Sequence, residues 1–221
     1  MEFSDNLFVY EVISEEDATV RLKRGIGIFG KEVEYFNSKA SVPFNGDVLE
    51  IPETVYFGGV HYKVVAVEKD VFHNLSSLAT LFIPCYIENF CWGFYECSNL
   101  QNIKVSSQNS NYKDIDGVLY SKDGDNLVAF PVGRKGHYDI PKGVKQILSF
   151  AFKTASISSL TIPDTVIKIC NNVFYRCKHL SEIELPSTLQ FIGKYDNNTT
   201  TKFRFRQKLY SAEEIYNQVN L

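Results

Sequence analysis

The amino-acid sequence predicts a repeat solenoid, mostly β-strand and loop, with a β-rich cap at its N-terminal end and one parallel strand in each repeat of about 23 residues. Three observations carry this. The pattern I-P-x-x-[VI]-x-x-[IF], then F-x-x-C-x-x-L-x-x-I-x-[LV], fits "IPDTVIKICNNVFYRCKHLSEIELP" from Ile162 and "IPCYIENFCWGFYECSNLQNIKV" from Ile83. Its landmarks return at a steady interval, 23 residues from Ile162 to Leu185 and 22 from Ile83 to Val105 and from Ile140 to Ile162. The last two apolar positions of each copy are separated by one residue, as on a short strand with one buried face.

Residues 1–50 do not repeat. "NLFVYEVI", "ATVRLKR", "EVEYF" and "DVLEIP" are β-like segments between polar turns. They are expected to close the N-terminal end of the stack as a cap. This region also holds "GIGIFG", residues 25–30, with the G-x-G-x-x-G spacing of dinucleotide sites. That motif works only between a buried strand and a helix whose N-terminus meets the pyrophosphate. Here "TVRLKR" precedes it and the strand-like "KEVEYF" follows, so the glycines read as turns.

Residues 51–193 carry the repeats. "VYFGGVHYKVVAV" reads as a hairpin about Gly58 and Gly59. The strand-bearing segment recurs as Leu78/Leu81/Ile83, Leu100/Ile103/Val105, Ile157/Leu160/Ile162 and Leu180/Ile183/Leu185. A proline follows it in several copies, where it stops pairing and turns the chain. A bulky aromatic comes next, Phe72, Phe94, Phe152 or Phe174, and fills the far side of the coil. Cys97, Cys177, Leu75 and Ala155 share one position, which reads as a small buried apolar site. Residues 106–140 form a longer variant repeat. Within it, "VLYSKDGDNLVAFP" predicts a hairpin turning at Asp123-Gly124. Residues 194–221 leave the repeat as a C-terminal tail or cap. "KFRFRQK" reads as an edge strand guarded by charge, and Ser211 before Glu213 and Glu214 starts a short helix.

The repeat resembles the BspA-type leucine-rich repeat, abundant in surface proteins of Bacteroides-like gut bacteria and of some protozoan parasites. Residues 109–141 resemble a longer variant of the same unit. By the convention of such repeats the class is α/β, although this chain is mostly β and loop. It departs from ordinary leucine-rich repeats where Thr165 and Thr188 stand in place of the asparagine of L-x-x-L-x-L-x-x-N. The resemblance implies a cell-surface or secreted location and a role in adhesion or host interaction. The N-terminus itself, "MEFSDNLFVYEV", has no signal-peptide pattern, which leaves a cytoplasmic location open.

Composition narrows the partners. A net charge of −3 and the lack of any Lys/Arg block argue against nucleic acid. Apolar runs fall well short of the roughly 20 residues that span a bilayer, so membrane insertion is not expected. The four histidines and five cysteines show neither zinc spacing nor a nucleophile motif. "DGDN" lacks the spaced oxygens of a calcium loop. No catalytic residue, metal site or cofactor is expected.

What remains is surface. The residue between the last two apolar positions of each strand points outward, giving a row of Phe82, Lys104, Thr161 and Glu184, joined by Asp139 of the long repeat. Outward rows are how solenoids meet partners. The reading is a non-catalytic binding or adhesion module that presents its strand face to a protein, such as a host extracellular or matrix protein. The alternatives are a structural spacer or self-assembling surface element and, less favoured, a glycan-processing enzyme. The sequence sets no oligomeric state.

Overall fold

The structure is a computed structural model that describes residues 1–5, 7–23, 46–69, 71–91, 93–94, 96–195 and 200–220. The GIGIFG and EVEYF segments, Trp92, Asn197 and Asn198 lie outside the described residues. The chain forms two compact units, Met1–Tyr112 and Lys113–Leu221.

In the first unit, β1 (Glu2–Ser4), β2 (Val9–Ser14), β3 (Thr19–Lys23), β5 (Thr54–Phe57) and β6 (Val60–Val67) form a sheet in the order β1-β2-β3-β6-β5. The short β8 (Asn89–Phe90) also pairs with β6. Alternation decides its two faces. Tyr10, Val20, Leu22, Tyr62 and Val64 are buried on one. On the other, Arg21 pairs with Glu11 at 2.8 Å and Lys23 with Glu2 at 2.5 Å.

A second sheet of this unit is the repeat ladder. Here β4 (Val48–Glu50), β7 (Thr80–Ile83) and β9 (Asn102–Val105) run parallel, with Leu49, Leu81 and Ile103 in register and buried. Residue 50 is therefore not a boundary in the pairing: β4 belongs to the ladder, and the N-terminal sheet extends through β5, β6 and β8. Asn109 ties the next segment down from a fully buried position. Its Nδ2 donates to the Pro84 and Ile87 carbonyls at 2.7 and 3.1 Å, and its Oδ1 accepts from the Asn111 and Tyr112 amides.

The second unit opens with β10 (Tyr112–Ile115), β11 (Val118–Ser121) and β12 (Asn126–Ala129), of which β11 and β12 are an antiparallel hairpin. Asp123 organises the turn through Oδ1, which accepts from Ser121 Oγ and from the Asp125 amide. The coils that follow have a common recipe. Each supplies one ladder strand, β13 (Gly136–Asp139), β15 (Ile157–Thr161) or β17 (Glu182–Glu184), and one two-residue rung, β14 (Gln146–Ile147), β16 (Lys168–Ile169) or β18 (Phe191–Ile192). The rungs continue in parallel from β12, in the order β12-β14-β16-β18. β13 pairs with β15, and β17 with β19 (Lys202–Phe205).

Three kinds of contact lock one coil to the next. Aromatic rings stack at one-repeat spacing: Phe130 on Phe152 at 4.7 Å, Phe152 on Phe174 at 5.7 Å and Phe174 on Tyr195 at 6.3 Å, with Phe72 on Phe94 at 5.8 Å in the first unit. The cysteine position is more than apolar filler. Cys97 Sγ donates to the Phe72 carbonyl at 3.1 Å and Cys177 Sγ to the Phe152 carbonyl at 2.9 Å, each 25 residues back. Thr165 and Thr188 bond across the turns, Thr165 Oγ1 accepting from the Gly143 amide and Thr188 Oγ1 donating to the Asp164 carbonyl. Coils also approach closely at Gly193, where a Cβ would come within 2.5 Å of the Asn171 amide nitrogen.

Each coil reverses two residues after its core phenylalanine. Asn74, Glu96, Thr154 and Arg176 all sit there with φ between 56° and 60°. This left-handed region suits asparagine and costs other L-residues about 1–2 kcal/mol. Asn74, which heads a glycosylation-like Asn-Leu-Ser, is accounted for by this turn alone.

The tail corrects one expectation. The strand of KFRFRQK is not an edge, because β19 lies between β17 and β20 (Lys208–Tyr210). Phe203 and Phe205 are buried, and Arg204 Nε donates to Glu182 Oε1 at 2.7 Å. The edge falls on β20 instead. The helix α1 (Ala212–Val219) begins at Ser211 with a capping box closed by Glu214. Asn220 then covers the free edge of β18: its Oδ1 accepts from the Ile192 amide and its Nδ2 donates to the Ile192 carbonyl.

Phe94→Ala and Phe174→Ala, at rings 5% and 0% exposed, should each lower the unfolding free energy by about 3–5 kcal/mol in denaturant titrations. Burial pushes the Cys97 and Cys177 thiols up to about 12, and only thiolate reacts. A thiol reagent at pH 7.5 should therefore label exposed Cys91 in the native protein, and Cys97 and Cys177 only on unfolding.

Candidate binding surface

The ladder strands present alternate side chains to solvent, and the five predicted surface residues fall on them as three register groups. In the first unit Phe82 stands opposite Lys104 on one side and Glu50 on the other. Phe82 is 40% exposed although its chain neighbours Leu81 and Ile83 are buried, and Lys104 is half-buried. In the second unit Asp139 stands opposite Thr161, and Glu184 opposite Arg204. Among the described residues no ladder joins β15 to β17, so these two pairs belong to separate sheets.

The outward face is wider than one row. Position 137 precedes Asp139 by two and shares its side of the strand. A register shift at Gly136/His137 sets His137 opposite Ser159. The imidazole is then held on both sides: Nδ1 lies 2.8 Å from Ser159 Oγ, and Nε2 lies 2.9 Å from Asp139 Oδ1 and 3.1 Å from Thr161 Oγ1. Asp139 accepts only, so the ring donates from Nε2, and in the neutral tautomer this sets, Nδ1 accepts a hydrogen bond from the Ser159 hydroxyl. Bonds from Thr161 first and His137 second hold the Asp139 carboxyl below the usual aspartate value of 3.8. Further along, Glu182 and Lys202 are in register, and Arg204 reaches diagonally to Glu182. Glu184 has no ion-pair partner among the described residues.

Sequence reasoning placed one outward residue per strand and left out His137, Ser159 and Glu182; Lys202 and Arg204 it set apart on the tail, with a basic contact patch for an acidic partner as the alternative to a charge-guarded edge. Period-two alternation would have found His137, Ser159 and Glu182 beside Asp139, Thr161 and Glu184. Joining Lys202 and Arg204 to them needed recognition that the tail extends the ladder.

Ser159, His137 and Asp139 superficially form a nucleophile, base and orienting acid. Acyl transfer also needs hydrogen-bond donors aimed at a developing oxyanion, and these side chains stand exposed on the strand face. The contacts order an exposed surface. A shallow open depression of about 590 Å³ lies elsewhere, against the turns, lined by Lys145, Asp164, Thr165, Ile167, Thr188 and Gln190 among others. It holds no nucleophile paired with a base. No cluster of three or more His, Cys, Asp or Glu side chains able to hold a metal occurs among the described residues.

A family model described as the BspA type leucine rich repeat region matches residues 59–119 and 136–218 in six copies, roughly two-thirds of the chain. The chain belongs to this family. In this BspA-type protein the stretch between the two matched segments holds most of the β11–β12 hairpin. Among solved structures, a leucine-rich repeat protein from Eubacterium ventriosum is similar over 73% of this chain, with 29% identity and a TM-score of 0.60. The match takes in 42% of the Eubacterium chain, so the present sequence spans less than half of that relative. A leucine-rich repeat protein from Bacteroides ovatus, at 19% identity, matches over 92% of this chain and 52% of its own, with a TM-score of 0.45. No match was found among curated proteins. No helix among the described residues is long and apolar enough to cross a membrane.

Removing the Thr161 hydroxyl should move Asp139. In carboxyl NMR titrations its pKa should rise in Thr161→Val, and less in His137→Ala, since the threonine bond is the larger cause. The sign for folding follows: a depressed carboxylate adds stability at neutral pH that is lost as pH falls through its folded value. Acid unfolding of Thr161→Val should therefore be slightly less steep than in the parent.

Proposed function

We propose that this BspA-type repeat protein is a non-catalytic binding module that takes a protein partner on its ladder-strand face, at the cell surface or in secreted form. The observation that carries this is the face itself. The ladder strands direct alternate side chains outward, and these are chemically varied: Phe82 and Lys104 in the first unit, and His137, Asp139, Thr161, Glu184 and Arg204 in the second. Within the first unit a part-exposed aromatic stands between Glu50 and Lys104, and within the second charge and an arginine face outward; both suit a protein, whose hot spots are aromatic and arginine-rich. The family supports the surface location and the adhesive role.

Immobilised host extracellular-matrix proteins provide the test, with binding read by surface plasmon resonance. Phe82→Ala and Glu184→Lys should each weaken binding at least tenfold with unchanged melting temperatures. Parent protein that binds none of them, or variants that bind as the parent does, would overturn the proposal.

A further inference from the structure

The β5–β6 hairpin of the first unit carries a second surface whose chemistry differs from the ladder face. Its register puts Tyr56 opposite His61 and Thr54 opposite Lys63, so all four project from the same side of the ribbon. The Tyr56 and His61 rings touch, with centroids 4.8 Å apart. Two residues further along β6, about 7 Å on a strand, Lys63 Nζ lies 5.1 Å from the centroid of the Tyr86 ring. Tyr56 is 63% exposed and Tyr86 37%. The result is a narrow strip: an open aromatic pair, a cation, then a second open ring.

The charge at its centre is available. On the neighbouring strand β3, Arg21 and Lys23 are neutralised by Glu11 and Glu2. Lys63 has no carboxylate at ion-pair distance among the described residues. The bordering Glu53 is hydrogen-bonded to the Cys85 thiol. An apolar protein segment would find little here to bury, because the rings stand apart with polar groups between them. A sugar chain fits this spacing. The C–H faces of pyranose rings carry slight positive charge and pack on the electron-rich faces of aromatic rings. A ring carboxylate would meet the lysine by a charge-assisted hydrogen bond.

We propose that Tyr56, His61, Lys63 and Tyr86 form a binding strip for an acidic oligosaccharide, one built of uronate-type sugars. The strip is separate from the ladder face, and the proposal is independent of the partner taken there.

The test is NMR and calorimetric titration of the whole protein with a uronate hexasaccharide, a neutral glucan hexasaccharide and a poly-glutamate peptide. The uronate should bind most tightly. Tyr56→Ala and Tyr86→Ala should each weaken it at least tenfold, Lys63→Ala should remove the preference for acidic over neutral sugar, and Leu209→Ala, an exposed apolar residue of β20, should leave uronate affinity unchanged. These side chains are exposed, so the variants should keep the parent's melting temperature. Absence of uronate binding, equal binding of poly-glutamate, or binding that survives both Tyr56→Ala and Lys63→Ala would overturn the proposal.

Discussion

The structure depends on a coil too thin to bury its own side chains. A strand, a proline turn and a two-residue rung enclose an apolar interior that is open above and below. The phenylalanine in that interior packs against the phenylalanine one repeat away, as Phe130, Phe152 and Phe174 show at centroid spacings of 4.7 and 5.7 Å. Stability is therefore a property of neighbouring pairs of coils more than of any coil alone. The same condition explains why the ends need other structure. At the C-terminal end the hairpin β19–β20, the helix α1 and the Asn220 amide take the places that further coils would fill.

Hydrogen bonds between coils follow the same one-repeat interval. The thiols of Cys97 and Cys177 reach carbonyls 25 residues back, and the hydroxyls of Thr165 and Thr188 bridge adjacent turns. A repeat built around a proline and a left-handed turn leaves backbone groups outside both ladders, and buried backbone groups must be paired. Cysteine and threonine are small enough to do this without opening the stack. Where alanine or leucine occupies the cysteine position, as at Ala155 and Leu75, the site is filled without such a bond.

The ladder strands pair through their backbones, so what their outward faces present is side chains held at fixed spacing. The ladder face and the hairpin strip differ in what they expose. The first mixes charge, hydroxyl and one aromatic on parallel strands. The second sets open tyrosine rings about a single lysine on an antiparallel ribbon.

The family and the solenoid were legible in the sequence because core positions recur at one interval, and an interval survives substitution of leucine by isoleucine, valine or cysteine. Phe82 as an outward residue between Leu81 and Ile83 was legible for the same reason, since alternation on a strand is local. Three features were not. The place of β4 in the ladder, the burial of Phe203 and Phe205 on an internal strand, and the grip of Ser159 and Thr161 on His137 each join residues far apart in the chain. Periodicity alone determined what each coil buries. Which strands pair was decided only when the coils stacked, because neither the break between β15 and β17 nor the one-residue shift at Gly136/His137 leaves a trace in the repeat.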